Sequence, residues 1–179
     1  SVVATLKPSL SKLKGWGTFE YYYEIDFSEI NTQGGFFIQS KKSKCKSSLF
    51  NISNTSYQNT INNLLGFMRQ QRCGYNPFLD MVCHQKDGRS MFGPIPDSTF
   101  VDVSGGWHDA GDQLKYLITG SYATVHMLLA YELYRNKFYD EVNGLGQPIP
   151  NKIPDVLDEA KWGLDWIHKL HPSPEQLYH

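Results

Sequence analysis

The run Asp102-Val103-Ser104-Gly105-Gly106-Trp107-His108-Asp109-Ala110-Gly111-Asp112 decides how the rest of the chain is read. It sets two carboxylates, Asp109 and Asp112, three residues apart among glycines, an alanine, a tryptophan and a histidine. Gly105 and Gly106 admit backbone angles closed to residues with a Cβ, so the stretch can bend tightly and bring polar groups near a ligand. Both carboxylates can then point into one cleft. Carboxylates so placed bind a metal, act as acid or base, or cap the backbone of a turn. The spacing D-x-x-D is common and by itself leaves all three open.

The wider context narrows the choice. Upstream stands Gln70-Gln71-Arg72-Cys73-Gly74, and downstream Ile153-Pro154-Asp155-Val156-Leu157-Asp158-Glu159-Ala160. With Gly105-Gly106-Trp107-His108-Asp109-Ala110-Gly111-Asp112 between them, these three motifs in this order resemble glycoside hydrolase family 9. Its members are inverting β-1,4-glucanases with an (α/α)6-barrel catalytic domain. The resemblance covers most of residues 53–179 and implies that they form the N-terminal part of that barrel.

Inverting glycosidases use two carboxyl groups across the scissile bond. One protonates the leaving oxygen, and the other activates a water on the opposite face, about 6.5–9.5 Å away. The resemblance makes Asp112 the catalytic base and Asp109 the second ligand of the same water. A base must be ionised at working pH, so at least one of the two needs an ordinary or lowered pKa. The family's general acid is a Glu far towards the C-terminus, and no residue here matches its motif; Glu159 and Glu175 lack the context. The chain is therefore expected to carry the base half of the pair and to be inactive alone. The rest of the catalytic domain, in the same or a separate chain, would complete it. Both ends are expected to be cut.

Bulk properties exclude other classes. The 179 residues carry a formal charge of −1, which offers neither a basic footprint for nucleic acid nor an acidic solvating tail. No apolar run approaches the roughly 20 residues of a membrane span. The 11 tyrosines and 4 tryptophans suit stacking on sugars as well as filling cores. The expected partner is a β-glucan polysaccharide or oligosaccharide. That polymeric substrate places the protein outside the cell membrane, either secreted or in the periplasm or at the cell surface.

The fold class expected is mixed. Residues 1–52 read as β structure: a first strand in the aromatic run Phe19–Phe27, a turn at Gly34-Gly35, a second strand from Phe36, and a third over Ser47–Ile52. Lys41–Lys46 reads as a solvated hairpin or edge; Leu6-Lys7-Pro8 with Leu10 and Leu13 is given no element. Family 9 enzymes often carry an immunoglobulin-like domain ahead of the catalytic domain, and this segment resembles its closing strands. Such a sandwich takes about 100 residues, so only its C-terminal part would be present.

From residue 53 the period becomes helical. Tyr57, Ile61, Leu64, Leu65 and Met68 share a face, with Gly74 placed to stop the helix. A second helix, from near Ser121, should bury Tyr122, Val125, Leu128, Leu129 and Leu133. Pro154 suits the first turn of a third, with Leu157, Ala160, Leu164 and Ile167 inward, Trp162 and Trp166 on a neighbouring core face, and an end near Leu170. The breaker-rich stretch 74–106 reads as a functional loop.

Cys73, Cys83, His84 and His108 are the right types for a Cys2His2 zinc site. A Cys73–Cys83 disulfide or two buried thiols are the alternatives, and the spacing matches no common finger. Some family 9 members hold a structural zinc on two Cys, the His after the second, and the His of the G-W-H-D-A-G-D motif. The resemblance therefore implies zinc on Cys73, Cys83, His84 and His108. A closed four-ligand site has no position for substrate, so this zinc would be structural. Calcium is also frequent in the family. Asp155, Asp158 and Glu159 are oxygen ligands by type but equally read as helix-face charges. Cys45 reads as a buried or free thiol, and His126, His168, His171 and His179 as helix-surface or terminal residues.

Other functions stay in view. One is a non-catalytic carbohydrate-binding or structural fragment. Another is a family 9 exo-acting glucosaminidase or glucosidase, whose distinguishing subsites would lie beyond residue 179.

Overall fold

The computed structural model describes residues 1–12 and 17–178; Leu13 and His179 lie outside the described residues. The chain divides into two compact units, Ser1–Tyr57 and Gln58–His179.

In the first unit, β1 (Ser9–Leu10) pairs antiparallel with β2 (Tyr23–Glu24), and β3 (Gly34–Phe36) with β4 (Phe50–Ile52). The expected Gly34-Gly35 turn is instead strand. Gly34 lies opposite Ile52 and Gly35 opposite Asn51, and a Cβ on Gly35 would make ordinary contact with Asn51 and Leu49, at 3.4 and 3.5 Å. The reversal comes later, in the lysine run. Ser40 N–H donates to Cys45 O, Lys44 N–H donates to Ser40 O, and Gln39 bridges Lys46. Phe50 gathers Phe27 and Phe36 at centroid distances of 5.6 and 6.4 Å. Of the long aromatic run only Tyr23-Glu24 is strand, and Phe19, Tyr21 and Tyr23 face solvent.

The second unit holds α1 (Gln58–Gln70), the hairpin β5 (Tyr75–Asn76) with β6 (Met81–Val82), α2 (Leu117–Leu133), a short 3-10 turn at Arg135–Lys137, and α3 (Asp155–Leu170). Helix α3 is central, with α2 packed along it and α1 beside it. Its inward positions are Val156, Ala160, Gly163, Trp166 and Leu170, all buried, at helical spacing. Ala160 of the expected inward face and Trp166 of the expected neighbouring core face are among these; Leu157, Trp162 and Ile167 are half-buried and Leu164 is exposed. The helix is turned because Asp155 and Glu159 are inside it as ion-pair partners, which an apolar period cannot reveal.

Close approach fixes the α2–α3 contact. A Cβ on Gly163 would lie 2.2 Å from Thr124 Oγ1 and 2.5 Å from the Trp107 ring. Small or polar residues therefore line the contact, and Thr124 is the buried residue of α2. The expected face, Tyr122, Val125, Leu128, Leu129 and Leu133, is exposed. Helix α2 is apolar nearly all round, so its pattern does not single out the α3 side. In α1, Leu65 is buried as expected while Leu64 is exposed, and Arg69 joins Leu65 inside; Tyr57, expected on this face, precedes the helix and is exposed. Helix α1 stops at Gln70 rather than at Gly74, because the next residues leave to pair with the central motif.

Candidate active site and metal-ligand cluster

The three sequence motifs meet in space. Residues 71–73 run antiparallel to 105–108. Cys73 N–H donates to Gly106 O at 3.0 Å, Gly105 N–H to Cys73 O at 3.1 Å, and His108 N–H to Gln71 O at 2.7 Å. Helix α3 supports the other side. Trp162 Nε1 donates to Gly106 O at 3.0 Å and Trp166 Nε1 to Val103 O at 3.2 Å. Lys169 Nζ reaches Asp102 Oδ2 and Ser104 O, both at 3.0 Å. Lys115 Nζ donates to Val103 O and, at 3.0 Å, to Gly105 O. Loop carbonyls that would otherwise be dehydrated thus receive donors. Gly105 and Gly106 have φ of 114° and 64°, and a Cβ on Gly106 would sit 2.5 Å from the Trp166 ring. Both backbone angle and contact require glycine there.

Beneath this loop lies a buried charge network. Glu159 is fully buried and accepts from Arg72 Nη2 at 2.7 Å, Arg72 Nε at 3.1 Å and Trp107 Nε1 at 2.8 Å. Arg72, also fully buried, donates Nη1 to Gly144 O at 3.0 Å and lies over the Trp162 ring at 4.3 Å. Arg69 adds a second positive charge, 3.3 Å from Asp155 Oδ2 and 3.4 Å from Glu159 Oε2, in ion-pair range without hydrogen-bond geometry. Two guanidinium groups face two carboxylates, so the network balances in charge, as buried ions must. Asp155 Oδ1 also receives the N–H groups of Glu141 and Val142, and Asp158 Oδ2 accepts from Asn151.

Trp107 carries this anchoring to the adjacent His108 and Asp109. Asp109 and Asp112 are both exposed, at the start of the segment leading into α2. Asp109 N–H donates to Leu114 O at 2.8 Å and Gln113 N–H to Ala110 O at 3.0 Å, closing a compact loop. Thr119, in the first turn of α2, donates its hydroxyl to Asp109 Oδ1 at 3.3 Å. Asp112 Oδ1 accepts the Leu114 N–H at 3.2 Å. The arrangement leaves both carboxylates exposed, with oxygens left to accept from a water or hydroxyl.

Cys73, Cys83, His84 and His108 also converge, with one ligand atom from each lying within 4.8 Å of the others. Cys83 Sγ is 3.9 Å from His108 Nε2, and the two imidazoles stand edge to face with centroids 4.9 Å apart. Both cysteines are free thiols. Zinc bonds of about 2.3 Å to sulfur and 2.0–2.1 Å to nitrogen put tetrahedral ligand atoms roughly 3.3–3.8 Å apart. The cluster needs only a small contraction to fit. His84 Nδ1 is buried without a hydrogen-bond partner, as a lone pair reserved for a metal would be. Burial pushes the Cys83 thiol up, with Cys73 adding to it, and pushes His108 down; a metal's positive charge stabilises the thiolate. The β-bridge between Arg72 and Trp107 ties the loop after α1 to the central motif.

The carriers of the network, Arg69, Arg72, Glu159, Lys115 and Lys169, were not singled out as functional. The usable signal was charge pairing: Asp155 and Glu159 lie at i, i+4 on one face of α3, and Arg69 and Arg72 stand three residues apart at and just after the end of α1. Cys45 is exposed and free, and His168 and His171 are exposed as expected. His126 stacks on Tyr122 at 3.9 Å. No helix among the described residues is long and apolar enough to cross a membrane.

Comparison with known proteins identifies a family. Residues 57–179 match the profile described as glycosyl hydrolase family 9. Endoglucanase D of Acetivibrio thermocellus is 32% identical over 161 residues, covering 84% of this chain and 25% of that protein. A cellodextrinase of Butyrivibrio fibrisolvens is 28% identical over 182 residues, covering 94% and 32% respectively. A solved metagenome-derived glycoside hydrolase family 9 endoglucanase superposes with a TM-score of 0.73 at 29% identity, over 89% of this chain and 30% of its own. The chain thus spans about a quarter to a third of the length of these relatives. With its motifs assembled around one loop and its profile matched from Tyr57 onward, the chain belongs to glycosyl hydrolase family 9.

Proposed function

We propose that the full-length enzyme hydrolyses internal β-1,4-glucosidic bonds of cellulose-like or mixed-linkage glucans with inversion, this chain supplying the base. Asp112 takes a proton from the attacking water as its oxygen bonds to the anomeric carbon. Asp109 accepts that water's other hydrogen and holds it in line. The general acid, on the remaining part of the catalytic domain, protonates the departing oxygen in the same single displacement. The observation that carries this reading is the pair of exposed carboxylates on a loop anchored from below by buried ions. Anchoring of this kind limits the misplacement that costs a positioned catalyst its rate. The glucanase and cellodextrinase names of the relatives support the substrate class. Residues 1–52 serve as part of an immunoglobulin-like module ahead of the barrel, and action on a polymer places the enzyme outside the cell membrane.

Cys73, Cys83, His84 and His108 hold a structural zinc, supported by their convergence and the orphaned His84 nitrogen. Zinc there supplies cross-linking of the β6 turn to the central motif, not Lewis-acid chemistry.

The Leu114 N–H on Asp112 favours one competing role, that of a turn cap. Asp112→Asn in the full-length enzyme separates the two. Asn keeps the oxygen that accepts from Leu114 but cannot take a proton. The expected result is a fall in kcat of at least about 10²-fold with unchanged melting temperature. Near-wild-type hydrolysis would sink the base assignment.

A further inference from the structure

Asp87 stands three residues beyond His84 on the turn that follows β6. Its N–H donates to His84 O at 3.3 Å, closing the turn. His84 adopts a φ of 53°, in the left-handed region that favours glycine. The two nitrogens of its ring meet different surroundings. Nε2 faces Asp87 Oδ2 at 3.7 Å, slightly beyond hydrogen-bond reach. Nδ1 is buried and has no partner. A neutral imidazole has one N–H and one lone pair, and the hydrogen bond made by one nitrogen decides which nitrogen keeps the lone pair.

We propose that Asp87 is the outer carboxylate of the metal cluster. It accepts the Nε2–H of His84 and so reserves the lone pair of the buried Nδ1 for the metal that Cys73, Cys83 and His108 would share. This rests on the zinc reading of those four residues. Asp87 is a positioning residue and does not touch the metal. It fixes the tautomer and ring orientation and raises the basicity of the ligating nitrogen, as outer carboxylates do at histidine metal sites. A carboxylate 3.7 Å from one ring nitrogen and a buried, unpartnered nitrogen on the other side are both accounted for by this role. An ordinary exposed His–Asp pair leaves the buried nitrogen unexplained.

The test uses the full chain, with zinc(II) affinity measured by competition against a chromophoric chelator for wild type, Asp87→Ala, Asp87→Glu and Asp97→Ala. Asp97 is the control because it lies in the same loop and caps the Phe92 N–H. The expected result is one zinc per wild-type chain, an affinity about 10–100-fold lower for Asp87→Ala, substantial recovery in Asp87→Glu, and no change in Asp97→Ala. Nitrogen-15 NMR of the zinc-loaded wild type should show His84 metal-bound at Nδ1 and protonated at Nε2. Equal affinities for wild type and Asp87→Ala, or zinc bound through Nε2, overturn the role of Asp87 while leaving the zinc site standing. A wild-type chain that takes up no zinc overturns both.

Discussion

Replacing Glu159 with Gln should destabilise the catalytic unit more than any single surface change. In the native protein this carboxylate has no exposure and takes hydrogen bonds from Arg72 and Trp107, with Arg69 in ion-pair range. The substitution preserves volume and one carbonyl oxygen but removes the charge. It also turns an NH2 group toward a guanidinium or an indole N–H, so donor faces donor. Arg72 keeps its bond to Gly144 O, but its positive charge stays buried without the carboxylate that balanced it. Breaking a buried pair from one side costs about 3–5 kcal/mol, a large part of the 5–15 kcal/mol that holds a typical domain folded. With a urea m-value of roughly 1–3 kcal/mol/M, the midpoint should fall by one to several molar. Urea unfolding followed by far-UV circular dichroism reads the shift, and tryptophan fluorescence, to which Trp107, Trp162 and Trp166 around the loop contribute, gives a second probe. The exposed Lys161–Asp165 pair is the control, and Lys161→Ala should barely move the midpoint. A Glu159→Gln cost as small as that control's would mean that the network is solvated and does not anchor the motif.

In the loop itself, Gly106→Ala would drive a Cβ to 2.5 Å from the Trp166 ring at a φ of 64°. The expected cost is about 1–3 kcal/mol for overpacking and roughly 1–2 kcal/mol for the left-handed backbone, read by thermal unfolding; an unchanged melting temperature would contradict the close contact between this loop and α3. Asp102 is held down to about 2 by the Ser104 hydroxyl first, then by the Ser104 N–H and Lys169. Its unfolded-state carboxyl titrates near about 3.9, so the folded pKa is the lower one. The stabilisation is therefore complete above about pH 4 and lost as pH falls towards 2. Asp102→Asn should flatten that part of the melting-temperature profile, modestly because the carboxylate is half exposed; parallel wild-type and variant profiles there would refute the assignment.

The motifs on either side of the central run were legible because each holds residue types that an ordinary helix or loop does not need. Gly105-Gly106-Trp107 announced a tight bend, and the structure puts positive φ and the Trp166 contact there. The four Cys and His residues were recognisable as one set by type, and the fold brings them within ligand range. Helix existence was also readable, since α1, α2 and α3 each carry a sustained run of helix-compatible residues. Orientation was not. In α3 the inward face includes Asp155 and Glu159, which apolar periodicity assigns to solvent. In α2 the buried side is marked by Gly120 and Thr124 rather than by leucines, because Trp166 and Gly163 come too close for anything larger.

By itself, then, the sequence determined which segments are helical, where the chain bends around Asp109 and Asp112, and which family the three motifs indicate. Only the tertiary structure decided that those motifs share one buried ion network, that a β-bridge joins 71–73 to 105–108, and that a ring nitrogen of His84 is buried without a hydrogen-bond partner. The physical reason is that local propensity and spacing act along the chain. A buried charge can be recognised as stable only once its partner, 87 residues away for Arg72 and Glu159, has been brought against it.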